Sequence, residues 1–281
     1  MDRAELVREL KALRKGRALT GRVEDRVGPA LRSACHVSES DGMVTIRAKV
    51  TDRLSELAAH LPEDLREVAL AAFAITPEAR HPLYQDRVKW AALRADRDPR
   101  TVRRRVDEAI ELLAELALPA AASGSWHVTS LTLALVLDEP CVFEQHRVVA
   151  DQDGFRSFDL AVGAAEGMVL YGGTLAKGTV ELPAPLSRGE SWEFAAVFPV
   201  EPPSHLVYVP RHRCEAFNLR LRFGKEGPPE VLALDGAFER DVSDPRYRGR
   251  TLQVDAAGEV HLQFRHLTPG LVYGARWADQ P

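Results

Sequence analysis

The sequence predicts an α+β protein of two domains. Residues 1–120 form a helical bundle with a helix-turn-helix, and residues 121–281 form an antiparallel β-sandwich of immunoglobulin-like shape. Three observations predict this. Up to Leu116 the apolar residues recur at intervals of three and four, and from Trp126 onward they alternate with a period of two. Between these patterns lies Ala120-Ala121-Ala122-Ser123-Gly124-Ser125, a small-residue run suited to a linker.

The first helix spans Asp2 to about Arg17, with Leu6, Leu10 and Leu13 on one face. Lys11, Arg14, Lys15 and Arg17 gather at its end, where cations suit the helix dipole better than they argue for a phosphate contact. A second helix is expected from Thr20 to Cys35, burying Val23, Val27 and Leu31. Gly42 to Lys49 reads either as a hairpin strand or as the entry to a helix from Thr51 to His60, with Thr51 as its cap. Pro62 opens the next helix, in which Leu65, Val68, Ala69, Ala72 and Phe73 repeat at helical intervals until Thr76-Pro77.

Residues 77–118 carry most of the functional information. Leu83, Arg87, Val88, Trp90 and Ala91 predict a helix to about Arg94, and Ala95-Asp96-Arg97 a tight connection. Asp98-Pro99 predicts a new helix start, with Asp as N-cap and Pro at the first helical position. The new helix sets Val102, Val106, Ile110, Leu113 and Leu116 on one face and ends at Pro119.

This segment, about residues 87–117, resembles the helix-turn-helix of sigma-factor region 4 and of LuxR-type regulators. The resemblance rests on a small residue in the first helix (Ala92), a turn of about four residues, and Asp98-Pro99-Arg100-Thr101-Val102-Arg103-Arg104-Arg105-Val106. Those families carry a capped Ser/Asp-Pro-x-Thr-Val-basic sequence there, with Gly where this chain has Asp96 and an aliphatic residue where it has Arg97. The resemblance implies DNA binding. The charge order gives a second argument: Arg100, Arg103, Arg104 and Arg105 precede Asp107, Glu108, Glu111 and Glu115, against the preference of the helix dipole. Stability alone does not select that order, whereas a recognition helix needs Arg in its first turns, where it meets phosphates or guanine edges. The alternative is a solvated face with Arg103/Asp107 and Arg104/Glu108 pairs in the weaker basic-before-acidic order.

Beyond the linker, Trp126 to Leu137 alternates with one slip, the signature of a long strand with a bulge. Further strands are expected at Cys141–Ala150, Phe155–Val162, Gly178–Leu182, Ser191–Phe198, Leu206–Val209, Ala216–Phe223, Thr251–Val254, Glu259–Phe264 and Leu271–Trp277. Gly, Pro and Asp separate them at the intervals of an antiparallel sandwich, a pattern that a jelly roll or open barrel would share. Trp126, Trp192 and Trp277 are expected in the core or at sheet edges. Arg211-His212-Arg213 and the arginines 240, 246, 248 and 250 give basic loops.

The composition is globular, with 45% hydrophobic and 28% charged residues, which excludes wholesale disorder. A net charge of -4 gives no general attraction to nucleic acid or anionic membrane, so such binding must come from a local patch. Three scattered cysteines make no disulfide framework and fit a reducing compartment. The charged start, Met1-Asp2-Arg3-Ala4-Glu5, and the lack of any stretch near ~20 apolar residues predict a cytoplasmic protein away from membranes.

No nucleophile, metal or phosphate motif is recognisable, so neither an enzyme nor a cofactor is expected. Gly172 to Gly178 lacks the spacing of a phosphate-binding loop and reads as a β-turn. Asp151-Gln152-Asp153-Gly154 lacks the closing Glu of a calcium loop, and His212 and Cys214 lack a second pair of zinc ligands. The expected function is that of a DNA-binding regulatory protein for double-stranded DNA. Arg100, Arg103 and Arg104 contact DNA, Arg87 and Lys89 touch flanking phosphates, and the β domain binds a protein partner or mediates assembly, homo-oligomers included. The competing expectation is a non-enzymatic adaptor that docks partners through the bundle or the sandwich loops.

Overall fold

A computed structural model describes residues 2–120, 125–162, 167–176, 178–224 and 230–277. The chain divides into two compact units, residues 1–121 and 122–281; the first is helical and the second mostly β-sheet. Most of the linker expected at 120–125, residues 121–124, lies outside the described residues.

In the helical unit, α1 spans Arg3–Leu13, α2 Pro29–Ala34, α3 Met43–Ala58, α4 Glu63–Ala72, α5 Tyr84–Arg94 and α6 Pro99–Ala120. Short 3-10 turns occupy Ala18–Thr20 and Pro77–Ala79. Asp2 caps α1 by accepting from Ala4 N–H at 3.2 Å. The buried α2 start is capped by a distant residue: the Glu9 carboxylate accepts from Leu31 N–H at 2.8 Å and Ala30 N–H at 3.4 Å. Gly28 is required beside it, since a Cβ there would lie 2.2 Å from Glu9 Oε1. The long central helix α6 packs on α1, α4 and α5, and α4 packs on α5.

Two helical expectations need correction. Val23, Val27, Leu31 and Cys35 are all buried, yet only Pro29–Ala34 is helical; Pro29 fits only the first turn of a helix and divides the stretch. Residues 43–58 form one helix, with no hairpin strand and Thr51 in its interior instead of at its cap. Ile46, Val50, Leu54 and Leu57 then share one buried face.

Among its described residues the β unit forms three sheets. The largest has the order β12-β9-β1-β2-β7-β4, with β1 Trp126–Val136, β2 Cys141–Ala150, β4 Met168–Tyr171, β7 Ser191–Pro199, β9 Cys214–Arg222 and β12 Glu259–Leu267. The second has the order β11-β10-β13-β8, with β8 His205–Tyr208, β10 Val231–Ala237, β11 Thr251–Leu252 and β13 Val272–Trp277. The third joins β3 Phe155–Asp159, β6 Thr179–Leu186 and β5 Thr174–Ala176. A one-turn helix, α7, spans Glu239–Val242.

The slip predicted in the first strand is a register shift between Val128 and Ser130 in the β1–β2 pairing. The sheet is not wholly antiparallel, because β1 and β9 run parallel, with Leu133 opposite Leu219. A parallel neighbour needs a long crossover, and the chain between these strands supplies one. Three elements have no counterpart among the strands expected from sequence: β4, β10, and β5, which takes up part of the glycine-rich stretch read as a turn. Aromatic pairs join the first two sheets, Tyr208 with Phe217 at 5.5 Å, Phe264 with Tyr273 at 5.6 Å and Phe223 with Trp277 at 5.3 Å. Trp126 and Trp277 are buried, and Trp192 donates its Nε1–H to Gly172 O at 2.7 Å. No described helix is long and apolar enough to cross a membrane.

Candidate functional site

The connection between α5 and α6 is built as a helix C-cap followed by a helix N-cap. Asp96 adopts a left-handed conformation, φ +47°, and Arg97 N–H returns to Ala92 O at 3.0 Å, the six-to-one bond of a Schellman turn. Glycine favours this conformation most; aspartate is among the few other residues that adopt it readily. Asp98 Oδ1 then accepts from Arg100 N–H at 2.7 Å, and Pro99 opens α6. Val102, Val106, Ile110, Leu113 and Leu116 are buried as the spacing predicts.

The charges of α6 divide along its length. Asp107 pairs with Arg14 at 2.8 Å, Glu111 with Lys11 at 2.9 Å and Glu115 with Arg3 at 3.6 Å. The numbers fall along α1 as they rise along α6, so the two helices run antiparallel with a ladder of ion pairs between them. The acidic half of α6 therefore has a packing cause, which corrects the view that stability cannot account for its charge order. It also replaces the expected Arg103/Asp107 pair. Arg14 in addition lies over the Tyr84 ring, 5.0 Å from its centroid.

The basic half is different. Arg105 is tied to Asp64, whereas Arg100, Arg103 and Arg104 are exposed and form no ion pair among the described residues. At relative positions i, i+3 and i+4 these three share one face. Lys89 is exposed on α5, with Asp86 3.7 Å away.

Arg87 is not at this surface. It is fully buried and donates Nε–H to Ala72 O at 3.0 Å, Nη1–H to Gly16 O at 2.9 Å and to His81 O at 2.7 Å, and Nη2–H to Arg14 O at 2.6 Å. Four of its five donors thus satisfy carbonyls at or just beyond the ends of α4 and α1 and in the nearby 77–81 turn. Desolvation holds its pKa below the usual arginine range. It cannot reach a phosphate, which corrects its assignment as a flanking contact. The sequence carries a signal for this: Arg87 stands beside Val88 and four before Ala91, on the buried face of α5.

A buried polar pair in the β unit has no place among the residues singled out from sequence. Glu144 and His146 alternate with Val142 and Val148 on the inner face of β2, and Glu144 Oε1 lies 2.5 Å from His146 Nε2. The same carboxylate accepts from Ala161 N–H at 2.6 Å and Val162 N–H at 3.1 Å. The two-residue spacing within an apolar alternation is the signal that could have found them. His212 and Cys214, weighed as zinc ligands, diverge: the buried Cys214 thiol is directed to Ala216 O at 3.6 Å, and burial pushes its pKa up to about 12. Among the described residues no group of three or more His, Cys, Asp or Glu is placed to hold a metal ion.

No protein-family model matches the chain, and no curated protein is significantly similar to it.

Proposed function

We propose that this is a DNA-binding regulatory protein in which α5, the 95–98 connection and α6 act as a helix-turn-helix. One observation carries the reading. On α6, Asp107, Glu111 and Glu115 are occupied by α1, while Arg100, Arg103 and Arg104 stand exposed at the N-terminal end without ion pairs among the described residues. A recognition helix presents this end to the major groove, where arginine pairs with guanine edges or phosphates. The mutual packing of α4, α5 and α6 is the three-helix support such a motif uses. Lys89 serves as a flanking phosphate contact, and Arg87 fixes the bundle behind it.

The β unit reads best as an immunoglobulin-like sandwich used for partner binding or assembly, supported by the aromatic pairs between its two larger sheets. The test is binding of the full chain to mixed duplex DNA across a salt series. Binding with a steep negative log-log slope is expected, and Arg103→Ala and Arg104→Ala each weaken it, reducing the slope by about 0.9 for each phosphate that is no longer neutralised. Unchanged affinity in both variants refutes the assignment. An absence of binding at low salt moves the reading to a protein adaptor.

A further inference from the structure

We infer that the free edge of β12 pairs with the same edge of a second copy of this chain, so that two six-stranded sheets continue into one across a two-fold axis. The inference rests on the reading of the β unit as a module for assembly and names its partner. It is independent of DNA contact by α6.

The six-stranded sheet ends in β12 on one side and in β4 on the other. A free edge invites pairing, and proteins commonly blunt it with shortness, a bulge or charge. The β4 edge has the first two devices, being four residues long with a register shift between Val169 and Tyr171. In contrast, β12 has nine residues and keeps one register against β9 from Glu259 to Arg265. Its left-handed residue, His266 at φ +50°, comes only after that run.

Two hydrogen bonds fix which backbone groups of β12 are free. Phe223 N–H donates to Gly258 O at 2.8 Å, and Leu137 N–H donates to Arg222 O at 3.0 Å, so Gly258 faces β9 while Arg222 faces β1. Alternation then turns Val260, Leu262 and Phe264 toward β9, and the N–H and C=O groups of His261, Gln263 and Arg265 toward the open side. Those groups have no backbone partner among the described residues. Glu259 faces the same way, but Asp255 already holds its N–H at 2.9 Å and its C=O at 3.0 Å.

The side chains select a second copy as the occupant. In an antiparallel pair of β12 strands centred on Leu262, His261 of each strand stands opposite Gln263 of the other, and Glu259 opposite Arg265. Each His261–Gln263 pair exchanges two backbone hydrogen bonds. Each Glu259–Arg265 pair sets opposite charges face to face, so the charges of this edge favour self-pairing instead of blocking it. Arg265 is exposed and has no ion pair among the described residues, which leaves it available for that contact. On the buried face Val260 meets Phe264 and the apolar layer continues from one copy to the next. Centring the pair on Gln263 would set His261 against Arg265 and Glu259 against Leu267, and the charge match would be lost.

The test is sedimentation velocity of the full chain from about 1 to 200 µM, a span suited to a small interface. A monomer–dimer equilibrium is expected. Gln263→Pro removes an outward N–H at an edge position, where proline is tolerated, and should raise the dimer Kd at least about tenfold. Arg265→Glu sets like charges opposite each other and should raise it at least about threefold, while the double exchange Glu259→Arg/Arg265→Glu should restore it to within about twofold. Misfolding would not be repaired by the second exchange, so recovery supports the pairing and its absence overturns it. A native chain that stays monomeric throughout also overturns the proposal and leaves the β unit only the binding of other proteins. A dimer that Gln263→Pro and Arg265→Glu both leave unchanged overturns it too, but keeps assembly through another surface.

Discussion

Arg87 in the helical unit and the Glu144–His146 pair in the β unit are all buried to within 1% exposure, yet their polar atoms are treated differently. Arg87 spends four donors on backbone carbonyls that three separate segments would otherwise leave without partners. The pair in β2 is satisfied on the Glu144 side, by His146 and two backbone N–H groups, while His146 Nδ1 is buried without a hydrogen-bond partner among the described residues. Arg87 clasps several segments together, whereas Glu144 ties its strand to the 161–162 backbone alone. A related contrast runs along α6, between acids engaged by α1 and arginines left at the surface.

The sharpest way to break this comparison is to remove the clasp. Arg87→Met should lower unfolding stability by about 3–5 kcal/mol in urea titrations, because several buried carbonyls are deprived of a charged donor together. A drop below about 1 kcal/mol would mean that the carbonyls find other partners. Glu144→Gln is expected to cost less, about 1–3 kcal/mol, since the amide presents a donor to at least one of the groups that the carboxylate accepts from. An equal cost at both positions would remove the distinction between a clasp over several segments and a tie to one.

Smaller effects are expected at the α1–α6 ladder. Asp107→Asn and Glu111→Gln should each cost under about 1 kcal/mol, with the cost shrinking as salt is raised. Arg103→Ala and Arg104→Ala should leave stability within about 0.5 kcal/mol while weakening DNA binding. The smallest effect concerns pH. His212 has a folded-state pKa below its unfolded value, so the unfolded chain binds the proton more readily and stability falls as pH drops from about 6.5 toward the folded value. His212→Gln should flatten that part of the pH profile, and an unchanged profile would show the ring to be less desolvated than its position indicates.

How much of the fold can be read from the chain depends on whether the local signal is also the deciding one. The α6 start is legible because Asp98 and Pro99 act through their own backbone geometry, and the β1 bulge because a single break in alternation has one physical meaning. The 20–35 stretch misleads because buried turns can repeat apolar residues at helical spacing while Pro29 limits the helix itself. The β-branched Val44 and Ile46 allow a strand reading of 42–49 beside the helix-entry one, but Ile46 meets the core with Val50 and Leu54 at helical intervals, and packing prevails over propensity. The strand β10 is a short apolar run whose partners, β11 and β13, come later in the chain.

The candidate residues divide in the same way. Arg100, Arg103 and Arg104 are visible as a basic cluster after a cap, and all three are exposed. Arg87 groups with them by charge, although its place beside Val88 and Ala91 marks the buried face. Glu144 and His146 are easily overlooked because each looks ordinary alone; only their common position in the Val142-x-Glu144-x-His146-x-Val148 alternation assigns both to the interior.

DNA recognition by α6 is tested most simply by fluorescence-anisotropy binding of the full chain and of an Arg100→Ala/Arg103→Ala/Arg104→Ala variant to mixed duplex DNA over a salt series. Salt-dependent binding by the native chain is expected, with a slope that falls by up to roughly 3 in the variant if all three arginines meet phosphates. Equal affinities and slopes for the two proteins, or no binding by the native chain at low salt, would show that these arginines do not form a DNA-reading surface.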